Sequence, residues 1–188
     1  MTLEIKINRA PFLTLWAAVV AEHVGFDPEE ALTIGKAVAG LTAQAKGRNL
    51  GIFHERPAEE IEKVKQLREG MDAKSIPFMG RTLSCVMTED GIRTLVRDKP
   101  VDPSSVERYL AGKFGEHLVS VKEQLTTLAE TFGQDELLRQ AMGIYMKLRP
   151  SVPKGREGWG KQGLLDRAAI ERMIEDRTSQ AHEVDDLT

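Results

Sequence analysis

The chain has 188 residues, 41% hydrophobic and 29% charged, with a formal net charge of −3. This is the composition of an ordinary soluble globular protein long enough to bury a real core, and the slight acidity argues against a nucleic-acid surface over the whole chain. No apolar run is long enough for a membrane span and no signal-type segment precedes the first helix; the single cysteine, Cys85, excludes an internal disulfide and fits a cytoplasmic location.

Leu3-Glu4-Ile5-Lys6-Ile7 alternates apolar and polar residues, which predicts a short strand. Two helices joined by a tight turn follow over Arg9–Arg48. Pro11 stands in the first turn, where the missing N–H costs nothing. Phe12, Leu13, Leu15, Trp16, Val19, Val20 and Val24 cover most of the circumference, the pattern of a helix buried on all sides. Gly25 ends it. Asp27 is a natural N-cap for the second helix, Pro28 its first residue, and Glu29 and Glu30 suit its dipole. Ala31, Gly35, Ala39 and Thr42 form a stripe of small residues that lets another helix approach. Gly47 is the expected C-cap.

Ile52 and Phe53 belong to an irregular, packed link. Pro57–Glu69 predicts a solvated helix with Ile61, Val64 and Leu67 inward, and Gly70–Ser75 a loop. Thr82–Met87 reads as a strand, Glu89-Asp90-Gly91 as a turn, and Ile92–Val96 as a return strand or a short helix capped by Thr88. Ser104 or Ser105 is the expected cap of the next helix. Phe114, Leu118, Val121, Leu125, Leu128 and Phe132 then recur at steps of four and three, the stripe of one bundle helix. Gln134–Leu148 is a further helix, expected to pack antiparallel on it. Pro150–Gly163 is too rich in proline and glycine for a regular helix. Asp166 caps a last helix bearing Ile170, Met173 and Ile174.

The expected fold is therefore mainly α. It is a compact multi-helix bundle, one domain over 1–188, with a small β-hairpin element near residues 76–97 that makes α+β the alternative class. The strand at 3–7 is a candidate neighbour of that element. A soft sub-boundary falls near 70–75, and residues 177–188 read as an acidic, frayed tail.

The segment after Leu148 carries the most distinctive chemistry. Between Arg139 and Lys161 there are six Lys or Arg and one Glu, a local balance of +5. Glycines there let backbone N–H groups converge on an anion. Arg149, Lys154, Arg156 and Lys161 add cations, and Trp159 offers a stacking face. The same composition also serves a plain surface loop anchored by Trp159. Gly155–Lys161 matches G-x-x-x-x-G-K, but Gln162 stands where magnesium binding needs Ser or Thr, and Pro150 and Pro153 exclude the preceding strand. The helix pair invites comparison with a helix-turn-helix, yet Glu29 and Glu30 sit at the end that would meet DNA. His23, His54, His117 and His182 are scattered, so no metal site and no cofactor is expected, and Cys85 reads as a buried hydrophobe.

Three functions follow. The first is a non-catalytic interaction or regulatory protein that binds a protein or phosphate-bearing partner through the basic loop, nucleic acid being the less supported form. The second is a small enzyme or binding protein for an anionic metabolite at the same loop. The third is a homo-oligomer, such as a homodimer, paired through the small-residue or heptad stripe.

Overall fold

The computed structural model describes residues 4–49, 58–153 and 162–185. In chain order these form β1 (Glu4–Ile7), α1 (Arg9–His23), α2 (Pro28–Asn49), α3 (Ala58–Gly70), β2 (Lys74–Phe78), β3 (Arg81–Thr88), β4 (Gly91–Val96), β5 (Lys99–Pro100), α4 (Pro103–Phe114), α5 (Leu118–Glu130), α6 (Gln134–Leu148), β6 (Gly163–Asp166) and α7 (Arg167–Asp185). The chain is rich in helix and carries two small antiparallel sheets, a mixed α+β architecture.

Helix α1 is the hub. Every residue from Pro11 to Ala21 is buried, and the helix packs on α2, α4, α5 and α6. Burying each large side chain is worth roughly 1.5–3 kcal/mol. The Trp16 indole donates to the Ala141 carbonyl of α6 at 2.9 Å, so its polar edge is not stranded in the core. Gly25, at φ 112°, makes the turn. Asp27 and Glu30 then close a reciprocal cap: the Glu30 N–H donates to Asp27 Oδ1 at 2.8 Å and the Asp27 N–H to Glu30 Oε1 at 3.1 Å.

The small stripe of α2 is taken up within the chain. Ala31, Gly35 and Ala39 are buried, and a Cβ on Gly35 would lie 2.3 Å from the Thr14 carbonyl oxygen of α1. Helix α2 runs to Asn49, so Gly47 lies inside it and is not its cap. Residues 50–57, including Ile52 and Phe53, lie outside the described residues. In α3 the expected inward Ile61 is 54% exposed; the side chains of Val64 and Leu67 are outside the described set.

The expected hairpin is two strands of a four-stranded meander ordered β2-β3-β4-β5. Cys85 pairs with Thr94, and Ile76 with Leu83, so Ile92–Val96 is a strand. Strand β2 takes up the end of the expected Gly70–Ser75 loop, its apolar alternation hidden by Lys74, Ser75 and Pro77. Proline is tolerated there because β2 is an edge strand. The sheet lies on α2. The Thr94 hydroxyl donates to the Thr33 carbonyl at 2.6 Å, and the Ile92 N–H to Glu30 at 2.7 Å. Strand β1 does not join this sheet. It pairs with β6, which the glycines and prolines before it obscured.

Asp102, not Ser104 or Ser105, caps α4: its carboxylate accepts the Ser104 N–H at 3.0 Å, with Pro103 at the first helical position. The heptad stripe spans two helices rather than one. A 3₁₀ turn at Gly115–His117 separates α4 from α5, yet Phe114, Val121, Leu125, Leu128 and Phe132 are all buried. Helices α5 and α6 each pack more closely on α1, which is apolar on all sides, than on one another. Asp166 caps α7 through the Ala168 and Ala169 N–H groups. Helix α7 continues past Asp176 to Asp185. Arg177 holds it down, donating to Glu136 at 3.1 Å and to the Thr131 carbonyl at 2.9 Å.

Candidate functional site

A basic concavity of about 280 Å³ lies where α1, α2, β3 and α6 meet. Four elements each bring one cation to it. Arg9 is the first residue of α1, Lys46 lies near the end of α2, Arg81 opens β3, and Arg149 is the C-cap of α6. Thr42, Tyr145 and Met142 complete the part that matters for chemistry. No carboxylate is among the lining residues that the structure describes.

Each cation is placed by a local rule. The Arg9 Nε donates to the Pro150 carbonyl at 2.9 Å, which fixes the guanidinium at the mouth of the segment that leaves α6. The Arg81 Nε donates to Thr42 Oγ1 at 3.3 Å, joining β3 to α2. The Arg149 N–H donates to the Tyr145 carbonyl at 2.8 Å, after which the backbone leaves the helix at ψ 149°. Lys46 and Arg149 form no ion pair among the described residues. Cations near the ends of α2 and α6 also complement the negative poles of those helices, worth about 0.3–1 kcal/mol each. That term does not account for Arg9, at a positive helix N-terminus, nor for Arg81, on a strand.

Tyr145 sits beneath this group, 2% exposed, its ring stacked on Phe12 with centroids 6.1 Å apart. Burial pushes its pKa up, while the nearby Arg149 and Arg9 charges pull the other way. The net shift is upward, so the phenol is a neutral hydrogen-bond donor near pH 7.

The neck of the downstream loop closes beside the concavity. Ser151 and Leu164 exchange both backbone hydrogen bonds at 3.0 Å. Gly163 is needed there, since a Cβ would meet the Ser151 carbonyl oxygen at 2.7 Å and Pro150 Cβ at 3.0 Å. Of the five residues singled out from sequence, Arg149 lies in the concavity. Lys154, Arg156, Trp159 and Lys161 fall outside the described residues. Arg9, Lys46 and Arg81 were not legible as site residues. Each is an isolated cation at the end of an element, without a motif around it.

Among the described residues no cluster of His, Cys, Asp or Glu could hold a metal ion, and no helix is long and apolar enough to cross a membrane. The N-terminus of α2 is engaged by the sheet: Glu29 pairs with Arg93 at 2.8 Å and Glu30 with the Ile92 N–H. Cys85 is buried and its thiol is pushed up to about 11 by that burial. No protein family, no curated protein and no solved structure matches this chain.

Proposed function

We infer that the protein is a non-catalytic cytoplasmic binding protein for a phosphate-bearing ligand, held at the concavity of Arg9, Lys46, Arg81 and Arg149. The observation that carries this reading is the convergence of four cations from four elements on one hollow with no lining carboxylate among the described residues. Lys46 and Arg149, which form no ion pair among the described residues, repel each other there, and a bound anion relieves that repulsion. The size supports a small phosphorylated group, near the lower end of the roughly 300–1,000 Å³ typical of ligand pockets. Of the other lining polar groups, the neutral Tyr145 phenol is suited to donating to a phosphate oxygen rather than to moving protons, while Thr42 gives its hydroxyl proton to the Val38 carbonyl at 2.8 Å and holds Arg81 in place. Binding rather than catalysis is the better-supported reading on that ground.

The test is calorimetric titration at low salt with inorganic pyrophosphate, adenosine monophosphate and adenosine. The two phosphates should bind and adenosine should not. Lys46→Gln with Arg149→Gln should weaken binding by about tenfold or more, since charge-assisted hydrogen bonds are worth about 1.5–3 kcal/mol each. Absence of binding at about 10 mM of either phosphate, equivalent to less than roughly 3 kcal/mol, rejects the reading. The polymeric form of the ligand is separated by random single-stranded RNA. Salt-dependent RNA binding that is lost in Lys154→Ala/Arg156→Ala/Lys161→Ala would extend the site along the loop.

A further inference from the structure

A second, longer cavity lies between the α1–α2 pair and the α4–α5 arm, about 690 Å³ in volume. Its floor is apolar: Leu15, Ala18, Leu32, Leu110 and Leu118 line it, and Val119, 68% exposed, stands beside them. The 3₁₀ turn between α4 and α5 leaves Leu110 and Leu118 on that floor from either side of the break. Along α5 the lining runs from Leu118 to Glu130, which at 1.5 Å per residue is roughly 18 Å, or more than three turns. A groove of that length suits an extended occupant, and an amphipathic helix presents apolar anchors at matching intervals along one face.

The rim sets the charge of the occupant. Glu107, Glu123 and Glu130 line the groove and form no ion pair among the described residues. Lys122, the single lining cation among the described residues, is already held by Glu22 at 3.5 Å, and Glu29 is held by Arg93 at 2.8 Å. Three carboxylates are therefore left without a counter-charge among the described residues. Glu123 and Glu130 are two turns apart on one side of α5, parallel to the apolar floor. The geometry points to this groove as the docking site for an amphipathic helix of a partner protein that carries Lys or Arg beside its apolar stripe. Its basic flanks would pair with the unpaired glutamates, while acidic flanks would be repelled.

The experiment uses the full chain and a phage-displayed library of helices about four turns long. Each has a fixed leucine stripe and flanking positions randomised among Lys, Glu, Gln and Ser. Selected peptides are synthesised and titrated by fluorescence anisotropy against the wild type, Val119→Arg and Glu123→Gln/Glu130→Gln. Lysine should be enriched at the flanks. Both variants, at exposed positions, should bind about tenfold more weakly or worse while keeping the wild-type circular dichroism and melting temperature. Enrichment of neutral or acidic flanks, no enrichment at all, or wild-type binding by both variants overturns the assignment. A dimer seen by light scattering and abolished by Val119→Arg also overturns it, because the groove would then hold a second copy.

Discussion

The guanidinium of Arg9 and the carbonyl of Pro150 are joined by a 2.9 Å hydrogen bond across 141 residues of sequence. The bond ties the first residue of the central helix to the start of the basic loop, and it places one cation of the concavity. Arg9→Leu removes both the donor and the charge. It should cost about 1–2 kcal/mol in urea unfolding, as for a partly exposed charged hydrogen bond. Pyrophosphate binding should weaken in the same variant. Unchanged stability and affinity together would show that Arg9 does neither job.

Two glycines of α2 should respond to alanine with opposite signs. At Gly35 the new Cβ would sit 2.3 Å from the Thr14 carbonyl oxygen and 3.2 Å from the Ala18 nitrogen, both rigid backbone. The helices must separate, so Gly35→Ala should lose about 2–3 kcal/mol or more. Gly40 has nothing within 4 Å of the same position. Gly40→Ala should instead gain about 0.5–1 kcal/mol from helix propensity. Chemical denaturation of the two variants side by side checks the pair.

Thr33 and Thr94 have no exposed surface and bind each other twice. The Thr94 hydroxyl donates to the Thr33 carbonyl at 2.6 Å, and the Thr94 N–H to the Thr33 hydroxyl at 3.3 Å. Thr33→Val keeps the shape but strands a buried N–H, and should cost about 1–3 kcal/mol. Thr94→Val removes a donor from a carbonyl that the helix also uses, and should cost less, about 1 kcal/mol. The reverse order of the two losses would contradict this account.

Burial raises the Cys85 thiol from 9.0 to about 11. In the folded state the proton is held more tightly, so above pH 9 the unfolded chain ionises first. The stability tied to the neutral thiol is complete below pH 9 and is lost as the pH climbs towards about 11. Stability curves for the wild type and Cys85→Ala should therefore converge over that interval and run parallel below it. The native thiol should also react slowly with a disulfide reagent at pH 8 and quickly in urea.

The elements that could be read locally are those with a complete local signal. Asp27, Pro28 and the two glutamates behind them announce the start of α2, and the structure shows the reciprocal cap. The apolar circumference of α1 announces burial on every side. Gln134–Leu148 shows one clean apolar face, and α6 has those bounds. Elsewhere the local signal was ambiguous. The stripe from Phe114 to Phe132 keeps its phase across the Gly115–His117 turn, so periodicity alone joins two helices into one. Ser104 and Ser105 are good caps by type, but Asp102 has the backbone position, one residue before Pro103.

Residue order determined which segments are helical, which surfaces are apolar, and that a basic segment follows α6. Hydrophobic period and capping chemistry act over a few residues and need no distant partner. Only the tertiary structure decided that β1 pairs with β6, that Gly35 meets Thr14, and that Arg9, Lys46 and Arg81 gather beside Arg149. Those relationships depend on which helix ends meet once α1 is buried, and no short stretch of sequence encodes a contact between residues 141 positions apart. The helix pair at the start of the chain and Arg149 at the head of the charged segment, separate features in the sequence, share one concavity because the buried central helix begins where that segment leaves α6.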